Sequence, residues 1–449
     1  MFNRGDENLG KDDKRLMFNI GSAFFIKGLA LLISFVSLPA YIKYFENDMI
    51  LGLWFTILSV LTWVLTFDFG IGNGLRNRIV KPLQENNYKE VKEYISSSYF
   101  ILGVLTIIIA ILVIPLVIVL DWNKVFNISK TIIDNDLLLK VVLINMCAIL
   151  LQFFMRIINS IIYALNKSAI NNFLALITAS SQLLFVLFYK GDSTASNLIV
   201  LSIVHLLSVI LPLILITVYI FLKDLKGMSP NINHYNKDKA KIVLFNGGAI
   251  FINQILYLIL TASNAFIISY FISPEQVVEY QIYYRVFILS GSLYMLALTP
   301  LWSAVTKAHV EKNYVWINKY FNLMLLGSLF VLLFQLFAIL LLQIAFNLWL
   351  GDNAPTVDYL WATIFAIFGG VFILQSTVST FAMGFNKTKL QAIMYGVAVV
   401  FKIIMVLFLT RYYQLWIVIV FIDLVVFVPY VVVEYIDLKK ILRNQTFIL

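Results

Sequence analysis

The side chains able to do chemistry are few, and several lie where charge is costly. Lys27, Arg285, Lys402 and Asp423 fall inside long apolar stretches, and Asp68 and Arg76 stand at the end of another. An ionisable group at the centre of a bilayer costs about 2.5–3.5 kcal/mol on insertion scales, so each of these needs a partner or a task. A buried cation can hold a phosphate or an acidic sugar, and the planar guanidinium fork matches phosphate oxygens. Tyr280, Tyr283 and Tyr284 flank Arg285 with aromatic faces suited to sugar rings. Asn246, Asn253, Tyr257, Thr261 and Asn264 recur at helical spacing and form an uncharged polar stripe, with Gln254 beside it. Amides and hydroxyls of this kind suit sugar hydroxyls and equally suit hydrogen bonds between helices.

Other chemistries lack their residues. Cys147 is the one cysteine in the chain, which removes any internal disulfide or thiolate cluster. His205, His234 and His309 are far apart and show no ligand spacing, so no metal is expected. No Walker A sequence occurs, and the longest outer loop, about residues 121–136, offers little surface for a polymerase or glycosyltransferase. His205 alone could suggest an acyltransferase, but a polar packing residue is the simpler account. An enzyme is not expected, nor a cofactor. Sodium, protons and membrane potential all stay open as energy sources.

The elements that position these residues are membrane helices. Of 449 residues, 61% are hydrophobic and 13% charged, about half the charged share of a soluble domain. A spanning helix needs about 20 apolar residues, and twelve such runs occur. They cover about 17–43, 49–72, 94–120, 137–163, 169–190, 196–222, 242–272, 277–304, 316–347, 358–384, 389–410 and 414–437. Lipid satisfies no exposed backbone, so these runs read as helices, and the fold class is all-α and polytopic. Residues 1–16 are polar and read as an uncleaved tail.

Charge placement gives direction. The net charge of +9 could suggest nucleic acid, yet 23 of the 33 Lys and Arg fall in the tail, alternate loops and the C-terminal segment, against five on the opposite side. That asymmetry is the positive-inside rule, and it places both termini in the cytoplasm without any nucleic acid. The chain also restarts. Phe18, Asn19, Gly21 and Phe24 recur as Phe245, Asn246, Gly248 and Phe251, and Asn166-Lys167-Ser168 recurs as Asn386-Lys387-Thr388. Six helices separate the echoes, so the halves are parallel repeats about an axis along the membrane normal. The expected lobes are residues 1–222 and 242–449, joined by a cytoplasmic linker, 223–241.

The repeat also orders the charges. Lys27 lies near the midplane of the first run, and its repeat partner is Gln254. Lys402 and Asp423 sit at one depth on consecutive runs, where an ion pair is expected, with a proton-coupling carboxylate as the minor alternative. Arg156 shares a helix face with Asn145, Gln152 and Asn159 and reads as packing. Asp68 precedes Gly70, Gly72 and Gly74, which end a helix and permit close backbone approach. It can pair with Arg76 at an inner gate.

The stretch "GLWFTILSVLTWVLTFDFGIGNGLRNRIV", residues 52–80, resembles the second-helix signature of bacterial polysaccharide flippases, through Gly52, Trp54, Asp68, Phe69, Gly70, Gly72 and Arg76. These flippases belong to the multidrug/oligosaccharidyl-lipid/polysaccharide exporter (MOP) superfamily. "LWLG" (348–351) and "MGFNKTKLQA" (383–392) are similar to the same pattern. The resemblance implies two rocking six-helix bundles in the bacterial inner membrane, working by alternating access. The implied cargo is a polyprenyl-diphosphate-linked oligosaccharide for O-antigen, capsule or exopolysaccharide, with a polysaccharide polymerase and other assembly proteins as candidate partners. It also implies that the first, second, seventh and eighth helices line the cavity, which makes Lys27 and Arg285 the leading substrate-binding residues. Asn253, Gln254, Tyr257, Asn264 and Tyr284 join them. A cation-coupled multidrug exporter of the same superfamily is the rival. Its cavity should favour acids, whereas these helices carry two cations.

Overall fold

The computed structural model describes residues 25–446, except 27, 67–70, 166, 192 and 386–387. The described residues are helical, with no strand among them. The chain is an all-α, multi-pass membrane protein. Nine described helices are long and apolar enough to cross a bilayer, and a bent pair makes a tenth.

Contacts divide the chain into two compact units that interleave in sequence. The first comprises residues 1–46, 61–125 and 129–251; the second comprises 47–60, 126–128 and 252–449. This division differs from a cut at 222–242: the linker packs into the first unit, and the start of the second apolar run packs into the second.

In the first unit, α1 (Gly28–Phe45) precedes α2 (Asp48–Thr66), whose first residues belong to the other unit. Then come α3 (Ile71–Gln84), α4 (Tyr88–Val119), the short α5 (Trp122–Phe126), α6 (Asn135–Met155), α7 (Ile157–Ala164), α8 (Ser168–Phe188) and α9 (Thr194–Tyr219). Ile71, Leu75, Ile79, Val91, Ile95, Ile158 and Ile161 form its buried centre. The approach of α3 to α10 (Lys237–Thr261) is so close that a Cβ on Gly74 would lie 2.5 Å from the Val243 carbonyl oxygen. Glycine is required there by space, not by an unusual φ.

The second unit holds the end of α10, then α11 (Asn264–Phe271), α12 (Pro274–Val310), α13 (Tyr314–Ala338), α14 (Leu342–Leu350), α15 (Tyr359–Gly384), α16 (Thr388–Leu409) and α17 (Ile417–Thr446). The seventh apolar run is therefore not one straight helix: residues Gln254–Thr261 and Asn264–Phe271 meet at 51°. In α15 the spanning window is 67% buried within the protein, against 11% for α8, so α15 is a central helix and α8 a peripheral one. Phe321, Val378, Phe381 and Leu438 pack around the C-terminal half of α15. A Cβ on Gly52 would collide with the Pro274 carbonyl, which gives that signature glycine a packing role.

Matched turns occur in the two units. Before α4, Asn87 (φ −83°, ψ 71°) caps the helix by accepting from the Glu90 N–H. Before α13, Asn313 (φ −84°, ψ 69°) accepts from the Trp316 N–H. Each is preceded by a residue at positive φ, Asn86 at 55° and Lys312 at 56°. Both caps also close with a backbone bond of 2.8 Å, from Asn87 to Pro82 and from Asn313 to Ala308. A side-chain acceptor at this position satisfies an N–H that the helix itself leaves open.

Candidate functional site

The second unit contains two polar clusters among apolar helices. The first is built where α10 breaks. Lys402 on α16 reaches the break, and its ammonium donates 2.8 Å hydrogen bonds to the Leu260 carbonyl and to Asn264 Oδ1. Asp423 on α17 lies 2.8 Å away through Oδ1, and the two side chains are 1% and 0% exposed. Asn264 Nδ2 donates to Asp423 Oδ2 at 2.6 Å and to the Tyr280 hydroxyl at 3.3 Å. In a continuous helix Leu260 would accept from the N–H four residues on. The bend frees that carbonyl, and Lys402 occupies it.

Lys402 and Asp423 thus meet as an ion pair. Asn264 requires a correction as a substrate-facing amide: it is 2% exposed, and both ends of its amide are engaged by Lys402, Asp423 and Tyr280. It shared the helical stripe with Tyr257, but the 51° bend turns the stripe at this point.

The second cluster joins α15, α16 and α17. Ser379 donates to Glu434 Oε2 at 2.8 Å and shares a 2.8 Å hydrogen bond with the Tyr430 hydroxyl. Gln375 Nε2 donates to Ser379 at 2.8 Å and to the Tyr395 hydroxyl at 2.9 Å. Glu434 is buried and forms no ion pair among the described residues. Its Oε1 and the Gln375 Oε1 are buried without hydrogen-bond partners there. Two such orphaned acceptors in one cluster suit a small cation or a proton. Sequence reading missed this cluster. Its signal was the polar run Gln375-Ser376-Thr377 with Ser379-Thr380 inside the tenth apolar stretch, together with Glu434 near the end of the twelfth.

Of the remaining candidates, Arg285 lies with its guanidinium 5.5 Å from the Phe55 ring centre. Tyr284 is half-buried, its ring 5.6 Å from Tyr280. Tyr257 borders the second cluster, 5.7 Å from the Tyr395 ring. Gln254 is half-buried, and its Oε1 is without a hydrogen-bond partner among the described residues. Arg76 is exposed and stands over the Tyr163 ring at 5.0 Å. Lys27, Asp68 and the Asn253 side chain lie outside the described residues.

The first unit has a buried polar network of a different kind. Tyr41 donates to Gln182 Oε1 at 3.2 Å, and Gln182 Nε2 contacts His205 Nδ1 at 3.0 Å and donates to Ser208 at 3.1 Å. Gln182 therefore ties α1, α8 and α9 together, with His205 as its partner on α9. Arg156 is exposed at the junction of α6 and α7.

These helices and buried clusters define a polytopic membrane protein with ionisable groups held inside its second unit. No protein-family model and no curated protein matches the sequence. Solved structures do match over nearly the whole chain. One is a multidrug resistance MATE family transporter of the MOP superfamily in an inward-facing conformation, with a TM-score of 0.72 at 13% identity over 92% of this chain and 95% of that one. Another is an outward-facing MATE family transporter of that superfamily, with a TM-score of 0.64 at 12% identity over 95% and 96%. A third is a MOP superfamily transporter from Pyrococcus furiosus, described as having a binding pocket of reversed polarity, with a TM-score of 0.64 at 12% identity over 95% and 96%. The chain has the fold of MOP superfamily transporters.

Proposed function

We propose that the chain is a transporter of the bacterial inner membrane, with both termini in the cytoplasm, that moves an amphipathic solute by alternating access. Support comes from its likeness to both inward-facing and outward-facing solved transporters over at least 92% of its length. The solved MATE proteins favour a multidrug exporter driven by a cation. The observation that carries this reading is Glu434, a buried carboxylate held by neutral hydroxyls, where a proton or sodium ion can be taken up and released. Lys402 and Asp423 serve as a separate structural pair at the break after α10.

A second reading keeps a specific observation in its favour. The signature at 52–80 and the cations Lys27 and Arg285 suit a polyprenyl-diphosphate-linked oligosaccharide, with Tyr257, Tyr284, Gln254 and Asn253 available to its sugars and Asp68 with Arg76 at an inner gate. One pair of experiments separates the two. Proteoliposomes containing the purified chain are expected to accumulate a cationic dye when a sodium or proton gradient is imposed. Gene deletion is expected to leave lipid-linked oligosaccharide unchanged on the inner leaflet. Accumulation of that lipid, with no dye transport, would instead establish the flippase; Arg285→Ala and Lys27→Ala would then abolish flipping at normal protein abundance. A chain that moves neither cargo overturns the transporter reading.

A further inference from the structure

We propose that the linker between the two sequence halves forms, with the start of α4, a binding site for a phosphate-bearing anion. A hollow of about 430 Å³ opens in the first unit, lined by Tyr88, Lys89 and Lys92 of α4 and by Lys226 and His234 of the linker. The three lysines form no ion pair among the described residues. The carboxylate at the wall, Asp224, is engaged through Oδ1 by Lys167 at 2.6 Å. His234 Nδ1 is buried and has no hydrogen-bond partner there. Uncompensated cations around a concavity repel one another unless an anion joins them. The first turn of α4 adds the positive end of a helix dipole to the same wall.

The hollow has fixed walls. The Asn231 N–H donates to Ser96 Oγ at 3.1 Å, and the Asn236 N–H donates to Ser97 Oγ at 2.9 Å, so the linker is pinned along α4. At the start of α10, Lys239 adds a 2.6 Å contact with Glu93 and a 4.7 Å approach to the Tyr94 ring, which holds the end of the linker against α4. Gly227, at φ 81°, makes the left-handed turn that brings the chain back toward α4, a conformation glycine adopts without strain. Beside the hollow, Tyr235 packs against Phe100 at 4.6 Å between ring centres, while Ile232 stays 69% exposed. Exposed aromatic and aliphatic groups next to a basic hollow suit the headgroup level of a membrane. The ligand is a phosphate-bearing anion, either the headgroup of an anionic phospholipid or a soluble phosphate.

The test titrates the full-length protein in neutral detergent with short-chain phosphatidylglycerol, with phosphatidylcholine of equal length, and with inorganic pyrophosphate. Thermal stability and native mass spectrometry provide the readouts. Phosphatidylglycerol is expected to bind saturably and phosphatidylcholine not to bind. The triple variant Lys89→Ala/Lys92→Ala/Lys226→Ala should bind the anion about 100-fold more weakly, at roughly a factor of five per lysine. The control Lys312→Ala/Lys319→Ala/Lys389→Ala removes as much charge elsewhere and should bind as wild type does. Lys226→Glu, a single change on the exposed linker, should weaken binding if the triple variant fails to fold. Pyrophosphate binding as tightly as the lipid assigns the site to a soluble phosphate; lipid binding alone assigns it to a headgroup. The proposal is overturned if no anion binds, if the triple variant and Lys226→Glu bind like wild type, or if the control loses as much affinity.

Discussion

The two units agree in their turns and differ in their buried polar groups. Asn87 and Asn313 cap α4 and α13 with φ and ψ within a few degrees of each other. Leu165 and Phe385 end α7 and α15 in nearly the same backbone conformation, at φ −79°, ψ 4° and φ −85°, ψ 2°. Inside, the first unit holds the Tyr41–Gln182–His205–Ser208 network, while the second holds Lys402, Asp423 and Glu434. Backbone geometry at a turn is fixed by sterics and one or two hydrogen bonds, so related sequences reproduce it. Buried polar groups are free to differ, provided each network satisfies itself. Charge in the described interior is therefore a property of one unit.

The largest effect is expected at the buried pair. Lys402→Ala leaves Asp423 without its cation and should cost about 3–5 kcal/mol, read as loss of monodisperse protein after extraction. Lys402→Met combined with Asp423→Leu should recover most of that loss, because removing both charges removes the desolvation cost as well. Failure of the double variant to recover would mean that the pair does more than fill space.

In the first unit, Gln182→Ala should cost about 1–3 kcal/mol by removing the hydrogen bonds with Tyr41, His205 and Ser208, measured as a fall in Tm. A loss as large as that of Lys402→Ala would erase the distinction between the two interiors. The matched caps offer a finer comparison. Asn87→Ala and Asn313→Ala should each cost about 1 kcal/mol, and the two values should agree. A large difference would break the equivalence of the turns.

The smallest stability change, under about 1 kcal/mol, is expected for Glu434→Gln, which keeps the shape and the hydrogen bond from Ser379. Gradient-driven transport by this variant should nevertheless fall at least tenfold. Unchanged transport would remove Glu434 from the coupling step.

Much of the fold was legible in the sequence. Apolar runs of membrane length mark helices because lipid leaves the backbone no other arrangement. The matching depth of Lys402 and Asp423 also anticipated their contact. Less of the site was legible. Asn264 lay on the same helical stripe as Tyr257, and only the break after Thr261 turned it toward Lys402. Glu434 drew no notice because hydropathy along one helix cannot report that α15 places Ser379 against it.

By itself, then, the sequence determined where helices form and which loops carry positive charge, since both follow from the transfer of residues between water and lipid. Tertiary structure decided which polar groups meet. A hydrogen bond or an ion pair depends on distances of about 3 Å between atoms on different helices, and a break in one helix changes those distances without changing a single residue type.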